Sequence, residues 1–150
     1  DLANRLLPYA APAVAPARSA REDGDPPDFH AFAPDELVPA VVEHALVLAK
    51  EMATVAVIAA DDRVDTLERA LEDRGVILAE PGEVSPEHPL VVVPAALAKG
   101  LEVDAVIVVE PTEIAALGTH GIRLLFVALT RAVQHLAIAH TQPIPEALRA

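Results

Sequence analysis

Residues 90–110 read LVVVPAALAKGLEVDAVIVVE. Two apolar runs, LVVVPAA (90–96) and DAVIVVE (104–110), flank a short AKGLE turn. Runs of this length with little polar alternation suit strands buried on both faces, as in a parallel sheet. Working outward, TVAVIAA (54–60) is a further run of the same kind, DFHAFA (28–33) alternates as a first strand, and HLAIAH (135–140) closes the pattern. Helical stretches separate them. Asp35 is placed to cap a helix running to about Met52, with Pro39 in its first turn, where a missing N–H is tolerated. Asp62 is placed to cap the next helix, with Val64, Leu67 and Leu71 on one face and Gly75 closing it. Val76–Leu78 reads as a short strand and PGEVSPEHP as a loop. Residues 111–117 read as a short helix, Thr119–Gly121 as a turn, and Ile122–Val133 as a last helix. Apolar strands alternating with amphipathic helices predict an α/β fold, a mainly parallel sheet covered on both faces in three layers.

The bulk numbers bound what such a domain does. A chain of 150 residues that is 53% hydrophobic suits one domain with a proper core. Residues 1–8 read as a short helix and the Pro- and Ala-rich stretch after Pro8 as an arm, so residues 1–27 form an arm packed on a single domain spanning 28–150. No apolar run approaches the length of a bilayer span, and the start lacks the basic and apolar segments of a signal peptide. The chain begins at Asp1 without Met, which reads as a piece of a longer protein. It has no cysteine, hence no disulfide framework and no thiolate metal site, which fits a cytoplasmic location. The formal net charge is −12, and lysine occurs only at Lys50 and Lys99. Nucleic-acid affinity comes largely from cations that neutralise phosphates, so this chain alone is expected to bind DNA weakly or not at all.

Ligands of doubly wound sheets sit at the carboxyl ends of strands, which directs attention to the loops that follow them. Lys99, Gly100 and Glu102 follow the 90–96 strand, and Arg131 falls late on the helix before the last strand. A planar, permanently charged guanidinium suits a γ-phosphate and can stabilise charge developing on a departing phosphoryl group. Glu102 can accept hydrogen bonds from ribose hydroxyls. Gly100 permits a close backbone turn, and Thr130 can support its neighbour by hydrogen bonding. Taken singly, an arginine in an Ala-rich helix is ordinarily a solvated or salt-bridged residue, and Lys-Gly-Leu-Glu between strands is ordinarily a turn.

Both motifs together, in order and on the expected elements, resemble the last two ATP-site motifs of the UvrD/Rep-type superfamily 1 helicases. The family's KGLE-F/Y-D-x-V wording is met at Lys99, Gly100, Leu101, Glu102, Asp104 and Val106, and its Y-V-A/G-x-T-R-A wording at Val127, Ala128, Thr130, Arg131 and Ala132, with Phe126 for the usual Tyr. VVEP at 108–111 and the short 111–121 connection resemble the RNA polymerase-associated HelD type in particular. The resemblance is specific over 90–140. It implies the second RecA-like domain (2A) of the P-loop NTPase type, closing on a first RecA-like domain across ATP. By resemblance, Arg131 is the arginine finger and Glu102 the ribose contact, with Lys99, Gly100 and Thr130 beside the nucleotide. DNA and RNA polymerase are the implied partners of the full protein.

Two departures and two absences qualify this. Family members precede KGLE with a T-x-H segment implicated in nucleic-acid contact, and here those positions are Pro94 and Ala96; Val103 replaces an aromatic residue. There is no G-x-x-x-x-G-K-[ST] phosphate loop and no Asp-Glu pair ending a strand to hold magnesium. Magnesium and the triphosphate would therefore be held by the first domain, and the isolated chain is expected not to hydrolyse ATP. One rival is a receiver-like domain with Asp61 and Asp62 as a magnesium pair, but LVVVPAA ends without the required Asp. A second is a helicase-like fold retained as a noncatalytic interaction domain, favoured by Pro94, Ala96 and the acidity. The histidines offer no metal site by spacing: His135 and His140 fall on opposite faces of one strand. Ser19 and Ser85 lack a nucleophile-elbow context.

Overall fold

The computed structural model describes residues 2–6 and 27–148. The apolar runs pair into one sheet of five strands: β1 (Asp28–Ala31), β2 (Val55–Ala59), β3 (Leu90–Pro94), β4 (Val103–Val109) and β5 (Ala132–His140), in the order β1-β5-β4-β2-β3. Every pairing is parallel, with Val55 opposite both Leu90 and Ala105, Val106 opposite Leu136, and Asp28 opposite Ala137. Parallel pairing needs a crossover for each neighbour, and the helices α1 (Leu37–Glu51), α2 (Asp61–Glu72), α3 (Pro111–Ala115) and α4 (Thr119–Leu129) supply most of that cover. The α/β, three-layer fold expected from the sequence is the one observed.

Successive side chains alternate across a strand, so each run feeds two cores. Ala56, Ile58, Val106, Val108, Leu136 and Ile138 meet Ile114 of α3 and Leu125 and Leu129 of α4, together with Leu2 and Leu148 from the two ends of the chain. On the other face Val55, Val57, Ile107, Val109 and Ala137 meet Leu37, Val41 and Leu48 of α1 and Leu67 and Leu71 of α2. Fully burying a Val, Leu or Ile side chain contributes about 1.5–3 kcal/mol, so these two faces are the main source of stability in the sheet.

The structure moves several boundaries. Residues 3–6, within the stretch expected to be helical over 1–8, form a 3-10 turn; residues 1 and 7–26, which include most of the expected arm, lie outside the described residues. Neither Asp35 nor Asp62 caps its helix. Glu36 and Ala60 occupy the cap positions, and neither cap carries a side-chain hydrogen bond. Asp61 and Asp62 instead fall in the first turn of α2, where carboxylates favour the positive end of the helix dipole. Gly75 does close α2: at φ +84° its N–H reaches Glu72 O, and Val76 N–H reaches Leu71 O, the paired bonds of a Schellman cap. Val76–Leu78 is no strand, because the cap has just reversed the chain and only Ala79 N–H reaches β3, at Leu90 O (2.8 Å). Thr119–Gly121 is the first turn of α4 rather than a separate turn, and α4 ends at Leu129, short of the expected Val133.

Candidate functional site

Arg131 is not on a helix. α4 ends at Leu129 with Thr130 as its cap, and β5 begins at Ala132, so Thr130 and Arg131 join them. Arg131 therefore stands at the amino edge of the sheet, opposite the carboxyl edge to which the general rule for doubly wound sheets pointed. The Lys99–Glu102 turn arrives at the same edge. After β3 the chain makes a short 3-10 turn (Ala95–Leu97) and returns along one face, with Ala95, Ala98 and Leu101 buried as it descends. Gly100 adopts φ +85°, the left-handed conformation that an L side chain resists, and open space surrounds it, so conformation rather than crowding calls for glycine. Glu102 then enters β4.

The two motifs meet through the backbone: Val103 N–H donates to Arg131 O at 3.4 Å, and Val103 pairs with Ala132 in the sheet. Lys99, Gly100 and Glu102 are exposed, whereas Thr130 and Arg131 are half-buried. Thr130 Oγ1 donates to Val127 O at 2.8 Å and accepts from Arg131 Nη2 at 3.0 Å, while Arg131 Nε donates to the same Val127 O at 3.1 Å. The guanidinium thus lies against the carboxyl end of α4, where helix carbonyls lack partners and a cation is favoured. Two donors on Nε and Nη2 are engaged, and the rest of the planar fork remains for an anion.

Next to Arg131 the β4–β5 register slips. Val103 pairs with Ala132 but Ala105 pairs with His135, so two residues of β5 oppose Asp104 alone. Such bulges re-aim the side chains beside them. Asp104, which belongs to the first motif, is turned inward as a clip. Its Oδ2 accepts the N–H groups of Ala53 (3.0 Å) and Thr54 (3.1 Å), and its own N–H donates to Thr54 Oγ1 (3.0 Å). Gln134 Nε2, from the bulge, reaches Asp104 Oδ1 at 3.4 Å. The clip fastens the start of β2 to the start of β4 at the amino edge.

The carboxyl edge carries a second network that spacing alone did not reveal. Glu110, directly after β4, is fully buried and left-handed at φ 51°. Thr141 donates to it from N–H (2.6 Å) and Oγ1 (2.7 Å), Gln142 N–H reaches it at 3.4 Å, and Arg63 Nη2 lies 3.6 Å away. Burial alone would raise this carboxyl, but the Thr141 and Gln142 hydrogen bonds and the Arg63 charge outweigh it and hold Glu110 below the usual glutamate range. Arg63 also grips Glu113 with two parallel bonds of 2.6 and 2.9 Å, which raises the guanidinium further. The legible signal was Pro111, whose fixed φ suits the first position of a helix and marks Glu110 as its cap.

Three histidines also gather where the sequence showed no cluster. His44 of α1 has ring contacts with His30 of β1 (centroids 5.4 Å apart) and His135 of β5 (6.1 Å), and His135 Nε2 stands 3.6 Å from Asp28 Oδ2. Among the described residues no group of His, Asp or Glu is arranged to hold a metal ion.

Comparison with known proteins follows this geometry. Residues 89–139 match the family model of the UvrD-like helicase C-terminal domain, a span that includes both motifs. The structure is similar to the C-terminal domain of a possible DNA helicase from Lactobacillus plantarum WCFS1, with 27% identity and a TM-score of 0.65 over 87% of this chain and 84% of that one. It also resembles the SWI2/SNF2 ATPase core of Sulfolobus solfataricus, solved in complex with dsDNA, at 14% identity and a TM-score of 0.56 over 77% of this chain and 27% of that one, a likeness of fold alone. No curated protein matches the sequence. In fold and motif wording the chain is thus similar to helicase C-terminal, RecA-like domains. No helix among its described residues is long and apolar enough to cross a membrane.

Proposed function

We propose that this domain is the second half of a nucleic-acid-dependent ATPase, presenting Glu102 to the ribose and Arg131 to the γ-phosphate of ATP held by a first RecA-like domain. The observation that carries the reading is the backbone bond from Val103 to Arg131, which sets the two motif loops side by side on one edge of the sheet. Lys99 and Gly100 stand on the same exposed turn, and Thr130 steadies the guanidinium. Chemically, closure of the first domain would bring the free part of the Arg131 fork against the terminal phosphate, where charge grows as the phosphoryl group leaves. Arginine fingers of other NTPases contribute about 10³–10⁵ in rate. Magnesium and the phosphate loop belong to the other domain, and DNA contact to basic surface outside this acidic chain. A cytoplasmic location suits such a partnership.

In the full protein, Arg131→Ala is expected to cut ATP turnover at least about a hundredfold with little change in nucleotide affinity. Glu102→Ala is expected to act mainly on affinity. Near-normal turnover in the arginine variant removes the finger assignment.

A second reading has a specific observation behind it. Where the family places hydrogen-bonding side chains before its KGLE motif, this chain presents Pro94, exposed Ala96 and Leu97, the last 60% exposed. An apolar turn in that position suits protein contact better than a nucleic-acid backbone, as expected of a helicase-like interaction domain. RNA polymerase as that partner rests on the VVEP wording at 108–111 and the short 111–121 connection. The structure gives Glu110 of that wording a fold-internal task, which weakens it as a recognition element.

A further inference from the structure

The free edge of the sheet beside β3 carries a groove that neither motif uses. It has a volume of about 500 Å³ and runs between α2, the 76–81 segment and β3. Val64, Val76, Leu78 and Val92 supply apolar lining, and Ile77 stands 76% exposed beside them. Glu68, Glu72 and Glu80 line the same groove. Among the described residues none of the three lies in an ion pair, although the nearby Arg63 and Arg74 are taken by Glu113 and Glu43. Burial, then Asp65, Glu72 and Glu80, push the Glu68 carboxyl up, as like charges do when no cation stands among them.

We propose that this groove docks a lysine- or arginine-rich segment of a partner protein or domain, with an apolar anchor set against Ile77 and Val64 and its cations among Glu68, Glu72 and Glu80. The charge pattern selects the occupant. A nucleic acid would be repelled by three carboxylates, and an uncharged apolar segment would leave them uncompensated. A basic segment removes both problems, satisfying the like-charged cluster while covering the exposed isoleucine. The groove borders the edge strand β3, which β2 separates from the β4–β5 pair that carries Glu102 and Arg131, and Pro94 at its rim leads into the turn before Lys99.

The test uses the whole 150-residue chain and a fluorescent lysine-rich peptide carrying leucine anchors, with binding followed by anisotropy at near-physiological salt. Two matched variants remove equal charge, Glu68→Gln/Glu72→Gln/Glu80→Gln in the groove and Asp35→Asn/Glu36→Gln/Asp61→Asn elsewhere. The groove variant is expected to weaken binding at least about tenfold, and the control far less. Ile77→Ser should weaken it too, and replacing the peptide's leucines by serines should do the same. In NMR, saturating peptide should shift the Ile77 and Val64 methyls and bring the Glu68 titration to lower pH. Equal losses in the two charge variants, or methyl shifts produced instead by a single-stranded DNA oligonucleotide, overturn the proposal. Circular dichroism of each variant distinguishes lost docking from lost fold.

Discussion

Asp104 offers the sharpest check on how the amino edge is held. Asp104→Ala removes the acceptor for two backbone N–H groups, those of Ala53 and Thr54, and leaves β2 without its clip to β4. A hydrogen bond to a charged group contributes about 1.5–3 kcal/mol where it is sheltered and less where water competes. The Thr54 bond is partly buried and the Ala53 bond exposed, so the pair is expected to contribute about 2–3 kcal/mol together. Asp104→Asn retains an acceptor oxygen and should lose about half as much. Thr54→Val, which takes away the partner of the Asp104 N–H, should cost about 1 kcal/mol. Urea unfolding followed by circular dichroism reads these values. With a slope of about 2 kcal/mol/M, Asp104→Ala should move the midpoint down by about 1 M without changing the slope. The double variant should fall short of additivity, because both single changes loosen one junction. A midpoint shift under about 0.2 M, or asparagine as damaging as alanine, would refute the clip.

Two further outcomes follow from packing and charge. A Cβ at Gly121 would stand 2.1 Å from Ile114 O and 2.8 Å from Leu117 Cβ, so Gly121→Ala should force α3 and α4 apart and cost about 1–3 kcal/mol, read by thermal unfolding. His44 is held below the usual histidine range by burial first and by His30 and His135 next, against the opposing pull of Asp28 and Glu51. Its neutral form is therefore favoured in the folded state: the stability is present above about pH 6.5 and is lost as pH falls through the lower folded value. His44→Phe should flatten stability between neutral and mildly acidic pH, and an unchanged pH profile would remove the cluster from the account.

Much of the sheet was legible because its signal is local. Val55–Ala59 and Val103–Val109 carry almost nothing but buried apolar residues, and Leu67, Leu71 and Gly75 mark α2 from inside to cap. The misreadings share a different cause. Val76–Leu78 has strand composition, but whether it pairs depends on the direction in which the Gly75 cap sends the chain. Asp35 and Asp62 have capping side chains, yet the turn geometry put their neighbours at the caps. Arg131 was expected on a helix because the apolar period runs through Ala132 and Val133, which belong instead to β5, Ala132 pairing with Val103 of β4. The His30–His44–His135 contacts join two strands and a helix far apart in sequence, so no spacing announces them. Of the candidate site, the residue types were readable. Their meeting at the amino edge was not, since it depends on an eight-residue return from β3 to β4 that only the folded chain reveals.

That return has a mechanical consequence. Glu102 and Arg131 each immediately precede a strand, and those strands are neighbours bonded from their first residues. The two loops therefore cannot advance separately without breaking the sheet between them. Under the proposed function, a nucleotide presented by another domain would meet Glu102 and Arg131 as one unit rather than as two independent loops. On that proposal the two contacts would form and break together, coupled by the pairing of a single pair of strands.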